Sequence, residues 1–380
     1  MASFPNSDGN RMVCDRCGPS RDEGYSFCPN CGNPLKEGCL YCAQYERDGY
    51  EYCGKCGRHL ERKETQISVT GKKNPLKMGT MASVPFIVMG LILEIAGMLY
   101  FSGEGLSYVS DNGTKLFLLL PMIVAGGRFD GAVAQAYFVL IMATILISVA
   151  LVLYQSIRKM KPRADGDTSE AENTPLYSIG MLFGSGIILE LIIMGIMTVF
   201  GHGLSTPEWI DEMSLGETVF DMAEAAFIEE IASRMVIIGV PIALLALCYG
   251  KRDFLKYLLG GFGMSRVALI LLIASTIIFA YAHVGSWGFE KFLPTLVGGL
   301  CLGYLYIKYG IHASIVFHFL TDYMSVMLQI NEVVTAAWLL IILVAGVVCL
   351  AEVLKRTLDG LRSVKDLPIT GLDDEDSERE

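Results

Sequence analysis

Charge is the first thing this chain is short of. Only 18% of its 380 residues are Asp, Glu, Lys or Arg, against 52% hydrophobic residues, and the mean hydropathy is +0.46. That balance is not that of a soluble globular protein and predicts membrane integration. Basic residues are the scarcer sign: 30 Lys and Arg face 40 Asp and Glu, a net charge of −10. Without a basic face the chain is not built for phosphate backbones, which excludes nucleic acid as a main partner. The pattern of a cleavable signal peptide is missing too, because the first ~75 residues are polar. The first apolar span is therefore expected to act as an uncleaved anchor. Beyond residue 56 cysteine is rare: Cys248, Cys301 and Cys349 stand alone in apolar runs and read as small buried hydrophobes.

The other eight cysteines form a repeat. Cys14-x2-Cys17-x10-Cys28-x2-Cys31 is followed by Cys39-x2-Cys42-x10-Cys53-x2-Cys56, offset by 25 residues at every position. Two CxxC knuckles per unit supply the four thiolates of a closed tetrahedral zinc site. A glycine follows the second cysteine of Cys28-Pro-Asn-Cys31-Gly32 and of Cys53-Gly-Lys-Cys56-Gly57, where the tight turn aims backbone N–H groups at sulfur. The spacing predicts two structural zinc ions and no open coordination position. His59 reads as solvated. Disulfides would need an oxidising compartment, and the topology below places this segment in the cytoplasm. The unit resembles the tandem zinc ribbons at the ends of many prokaryotic membrane proteins, which implies an interaction module for a cytoplasmic protein partner.

Apolar runs predict eight membrane spans, near 84–101, 132–153, 179–200, 219–249, 267–283, 293–307, 311–328 and 334–353. Small-residue pairs, Gly180-x3-Gly184 and Gly299-x3-Gly303, suit close helix packing. Gly239 and Pro241 predict a kink in the fourth span. The run 116–126 is too short to cross and reads as a re-entrant or interfacial piece. Lys and Arg collect in 57–79, 157–163, 251–256 and 355–365, which fall on one side of an eight-span topology. The positive-inside rule then puts both termini in the cytoplasm. The expected organisation is an all-α polytopic membrane protein: ribbons over 1–60, a basic linker over 61–80, a membrane domain over 81–356 with a motif core at 219–328, and an acidic flexible tail over 357–380.

Charge placed where it is costly carries the functional signal. Glu229, Glu230 and Arg234 lie within six residues of an apolar helix, and a charge at helix centre costs about 2.5–3.5 kcal/mol on insertion scales. Glu230 can pair with Arg234 one turn on, which aims Glu229 elsewhere. Two other apolar helices carry His283, with Phe279 one turn before it, and His318 with Asp322 one turn after it. A carboxylate and two imidazoles in a low-dielectric cavity can activate water and stabilise an oxyanion. Two His with carboxylates also suit a zinc ion that keeps a water, so the glutamate and metal mechanisms both stay open. Glu94, inside the first span, reads as interior-facing, snorkelling or paired with another helix. His202 reads as solvated, and His312 as a helix-start bond or cap.

The ordered motifs Glu229-Glu230-x3-Arg234, Phe279-x3-His283 and His318-x3-Asp322 resemble those of the type II CAAX prenyl endopeptidases, within the wider Abi group of CAAX proteases and bacteriocin-processing enzymes (CPBP). The resemblance implies an intramembrane glutamate protease acting on a membrane-associated, in the CAAX case prenylated, protein or peptide. Glu229 and His283 would activate water, His318 and residue 322 would stabilise the oxyanion, and Glu230 with Arg234 would orient the site. Asp322 stands where the family commonly has Asn. It must be protonated, orient His318, or bind a metal. The depth count puts Glu229 and His283 towards the extracytoplasmic helix ends. Two alternatives remain: a non-catalytic membrane scaffold whose ribbons recruit a partner, and a proton-coupled transporter using Glu229, His283 and Asp322.

Overall fold

The computed structural model describes residues 75–120, 122–160, 169–203 and 207–372; of residues 116–126 and 211 it describes only the backbone. The eight ribbon cysteines and His59 lie outside the described residues. Those described form an all-α polytopic membrane protein with one added β-hairpin.

Among them, eight helical segments are long and apolar enough to cross a membrane. Helix α1 is Pro75–Tyr100, and a shorter helix, α2, covers Ser102–Asn112. Strands β1 (Thr114–Leu120) and β2 (Met122–Phe129) pair antiparallel, with a register shift between Leu116 and Phe117. This hairpin stands where a re-entrant or interfacial piece was expected. A short apolar run has no period long enough to tell strand from helix, and a hairpin pairs its backbone groups locally. Helices α3 (Gly131–Ile157), α4 (Pro175–Val199) and α5 (Leu215–Cys248) follow. Next come α6 (Arg266–Trp287), α7 (Phe292–Tyr309), α8 (Ile311–Asp322), its continuation α9 (Met324–Ile330), and α10 (Glu332–Ser363).

Helix α8 is the axis of the bundle. Eight consecutive residues, Ala313–Leu320, are buried, because α3, α4, α5 and α7 all pack around it. The stretch Ala313–Leu320, apolar on every side except at Ser314 and His318, can be buried only in this way. Around it, Phe138 of α3 meets Phe220 of α5 edge-on at 5.4 Å. Helix α4 approaches α10 through two glycines: a Cβ on Gly346 would lie 2.4 Å from the Gly184 carbonyl oxygen. The expected Gly180-x3-Gly184 pair thus splits its work, because Gly180 faces Val84 and Ile87 of α1. At one end of α4 and α10, buried Glu352 accepts hydrogen bonds from Tyr177 at 2.8 Å and Arg356 at 2.8 Å, and one from Thr80. This network ties α1, α4 and α10 together with the carboxylate's lone pairs satisfied.

Two expectations need correction, and a third resolves between its alternatives. Helix α10 continues to Ser363, and the chain then folds back, so 357–372 is not a flexible tail. The carbonyls of Pro368 and Ile369 accept the N–H groups of Arg266 and Val267 at 2.9 and 3.1 Å, satisfying open donors at the start of α6. Leu372, 2% exposed, seals the patch against Ile242, Ala243 and Tyr257. Cys248 is exposed at the end of α5, while Cys301 and Cys349 are buried as expected. Glu94 is 1% exposed and faces inward; it does not snorkel, and both its oxygens lack a hydrogen-bond partner among the described residues.

Candidate active site

Helix α5 changes its winding where its charges sit. Leu215–Glu230 is α-helical, capped by the Ser214 hydroxyl, which accepts the Glu217 N–H at 3.2 Å. Ile231–Gly239 is π-helical, and Val240–Cys248 returns to α. The irregularity expected at Gly239 and Pro241 therefore starts eight residues before Gly239, just after Glu230. Pro241 falls in the first turn of the resumed α segment, directly after the π turn. Such π turns add a residue per hydrogen bond and gather at functional sites. Two contacts fasten this one. Ser275 of α6 donates to the Ser233 carbonyl at 2.7 Å. Gly239 lets Tyr306 of α7 pass: a Cβ there would lie 2.1 Å from the Tyr306 hydroxyl and 2.6 Å from the Leu258 carbonyl oxygen that this hydroxyl donates to.

The innermost layer is an ion pair with no exposure. Glu230 and Arg234 are each 0% exposed and 3.4 Å apart, in ion-pair range but not aligned for a hydrogen bond. Burying two ions costs several kcal/mol each, and only good additional partners offset it. Glu230 has them: one oxygen meets His318 Nδ1 at 2.8 Å, and the other accepts from the Ser314 hydroxyl. Arg234 donates to the Gly299 carbonyl of α7 at 3.4 Å, and its guanidinium carbon lies 4.2 Å from the Phe279 ring centroid of α6. One pair thus joins four helices, α5 to α8.

The outer layer is reachable. The side chains of Glu229, His283 and Asp322 are 26%, 21% and 27% exposed. Glu229 Oε2 lies 3.7 Å from His283 Nε2 and 3.7 Å from His318 Nε2. His283 Nδ1 is 2.9 Å from the Phe279 carbonyl oxygen. That oxygen can only accept, so Nδ1 carries the proton, and a neutral ring turns its bare Nε2 towards Glu229. His318 is held at both nitrogens, by Glu230 at 2.8 Å and by Asp322 Oδ2 at 3.2 Å. Carboxylates accept on both sides, so both contacts are hydrogen bonds only when the ring carries both protons.

The six candidates Glu229, Glu230, Arg234, His283, His318 and Asp322 therefore meet in one place. Glu230 does more than pair with Arg234, because it also holds His318. Ser314 was missed, although Ser314-x3-His318-x3-Asp322 puts all three on one helical face. The Gly299 carbonyl was missed as well, and Phe279, singled out beside His283, was not expected to face Arg234. Also missed was Glu190 of α4, a lone carboxylate in an apolar helix that lies within electrostatic reach of Asp322. His202 is outside the cluster, 3.8 Å from Glu290, and His312 contacts Gln155 at 3.0 Å. Among the described residues no group of three or more His, Cys, Asp or Glu is arranged to hold a metal ion. At this site both His318 nitrogens already face carboxylates.

No curated protein and no solved structure matches the chain. Residues 212–324, which contain all six side chains, match the family model described as type II CAAX prenyl endopeptidase Rce1-like, and the match supports a membrane protease of CAAX type.

Proposed function

We propose that this protein is an intramembrane endopeptidase in which Glu229 is the general base that activates water. The single observation that carries the reading is the position of Glu229: a partly exposed carboxylate 3.7 Å from two imidazoles, above a buried pair that fixes one of them. Glu229 Oε2, itself buried and without a hydrogen-bond partner among the described residues, and His283 Nε2, 3.7 Å away, can both accept from one water. A water donating one hydrogen to each is left with a lone pair directed at a peptide carbonyl carbon. In attack, the water oxygen bonds to that carbon, its proton passes to Glu229, and the carbonyl becomes an oxyanion. His318, cationic between Glu230 and Asp322, supplies the balancing charge. Collapse breaks the C–N bond, and the proton returns from Glu229 to the leaving amine. In this reading Asp322 orients His318, which is one of the roles the departure from Asn leaves open.

The substrate class is a membrane-associated peptide or protein, prenylated if the CAAX resemblance extends to substrate. Both termini would be cytoplasmic, and the eight N-terminal cysteines would hold two structural zinc ions in an interaction module. The reading is tested by comparing the membrane peptidome of cells carrying active protein with that of cells carrying Glu229→Ala. Peptides that accumulate only with active protein are expected; identical peptidomes would count against a peptidase.

A further inference from the structure

We infer that Ser314 is a positioning residue: its hydroxyl pins one oxygen of Glu230, so that the other holds His318 and not Arg234. Its effect on turnover rests on the peptidase reading; the placement of protons that it sets does not.

Ser314 and His318 are buried one turn apart on α8 and share a face. Glu230 reaches both. Its Oε2 accepts from the Ser314 hydroxyl, and its Oε1 lies 2.8 Å from His318 Nδ1. One carboxylate thus bridges two turns of α8, which fixes its plane at two points. That plane decides a competition for Oε1. Arg234 Nη1 faces the same oxygen at 3.4 Å and makes no hydrogen bond with it. Both Nε and Nη1 of this buried guanidinium lack an acceptor among the described residues. A carboxylate free to turn would align with such a cation, since two parallel bonds from a guanidinium outweigh one from a hydroxyl. Glu230 stays turned to α8, and the hydroxyl on Oε2 is what holds it there.

The Ser314 hydroxyl has one proton and two acceptors within reach. The second is the Leu302 carbonyl, at 3.0 Å and inside helix α7. An ionised carboxylate is the stronger acceptor, so the proton goes to Glu230. His318 then keeps one proton on Nδ1, facing Glu230, and one on Nε2, facing Asp322 at 3.2 Å. Without the pin, Oε1 leaves Nδ1 for Arg234. The ring is left with one bonded carboxylate and one proton, and the charge that balances the oxyanion is lost. The other charged groups around this ring are Glu229, 3.7 Å from Nε2, and Glu94, Glu190, Lys291 and His283, within electrostatic reach of Asp322. None of them is bonded to Glu230. The ordinary alternative is that Ser314 only lets α7 and α8 approach, as small hydroxyl side chains do between membrane helices.

The test uses full-length protein in nanodiscs, isotope-labelled in its five histidines. Nitrogen chemical shifts report how many protons each ring carries, and His318 is assigned by the signal missing from His318→Gln. In native protein both nitrogens of His318 should be protonated at neutral pH. Ser314→Ala should leave one proton on the ring, and so should Ser314→Cys, which keeps a similar volume and donates only weakly. Ser314→Thr keeps the hydroxyl and should restore the native spectrum. Turnover of a membrane peptide should fall about 30-fold in the Ala and Cys variants and less than about threefold in the Thr variant. In a Glu230→Gln background, Ser314→Ala should cost less than about a further threefold, because the hydroxyl acts through that carboxylate. A His318 that stays doubly protonated in both Ser314→Ala and Ser314→Cys would overturn the inference. So would equal losses from Ser314→Ala with and without Glu230. The Ala and Cys spectra decide the matter even where the extra methyl of Thr unfolds the protein. Cleavage by native protein, with an unchanged His318 spectrum in Ser314→Ala, would sink this inference and leave the peptidase reading. A Ser314-dependent proton on His318 without cleavage of any peptide would do the reverse.

Discussion

Arg234→Met isolates the buried pair without changing the volume of α5 much. The guanidinium contributes three contacts: the 3.4 Å ion pair with Glu230, the 3.4 Å bond to the Gly299 carbonyl, and the face of Phe279 at 4.2 Å. Removing one partner of a buried pair costs about 3–5 kcal/mol, because a buried charge is left uncompensated. Glu230 keeps Ser314 and His318, so the loss should fall at the lower end, about 3 kcal/mol. The contribution of Phe279 is included in that figure, since the contacts vanish together. Reversible unfolding in mixed micelles measures it, with Glu230→Gln and the double variant completing a cycle. The coupling between the two positions should be about 1.5–3 kcal/mol, and the double variant should be no worse than the weaker single one. Because Glu230 also holds His318 Nδ1, the single variant should lose about 100-fold in turnover through misplacement of that ring. A stability within about 0.5 kcal/mol of wild type, with turnover intact, would refute the claim that this pair holds the site together.

Other outcomes follow from single contacts. Gly239→Ala sets a methyl against the Tyr306 hydroxyl and the Leu258 carbonyl and should cost about 1–3 kcal/mol by thermal or chemical unfolding; a neutral result would mean that the two helices do not approach so closely. Asp322→Asn keeps an oxygen that can accept from His318 Nε2 and should retain turnover within about tenfold, whereas Asp322→Ala should lose about 100-fold; equal losses would argue against an orienting role. Elemental analysis of purified protein should give two zinc per chain, with one lost on replacing Cys14 and Cys17 by Ser; a value near three would point to a further metal site.

The spans were legible because a membrane helix needs little more than an apolar run of the right length. All eight emerged, with ends displaced by up to about ten residues, since caps such as Thr174 and Ser214 lie outside the apolar runs. The hairpin was not legible: residues 116–126 carry no period that separates strand from helix. The π turn of α5 was not legible either, because winding depends on what packs against it, here Ser275 and Tyr306. Of the site, the ionisable groups announced themselves by their cost in an apolar helix. Ser314 did not, because a hydroxyl in a membrane helix is cheap and common. Glu94 shows where that signal misleads: it carries the same cost as Glu229 and is buried, yet it has no hydrogen-bond partner among the described residues and lies on a helix outside the motif core. The difference between them is partners on other helices, which one chain read in order does not display.

The central claim is that Glu229 is the base. Glu229→Gln keeps the size and hydrogen-bonding oxygen of the side chain and removes its basicity. Purified protein in bilayers, given a peptide that the native chain cleaves, should lose at least about 1,000-fold in turnover on this one change, with unfolding unchanged within about 0.5 kcal/mol. Cleavage by Glu229→Gln at more than about a tenth of the native rate would contradict the account.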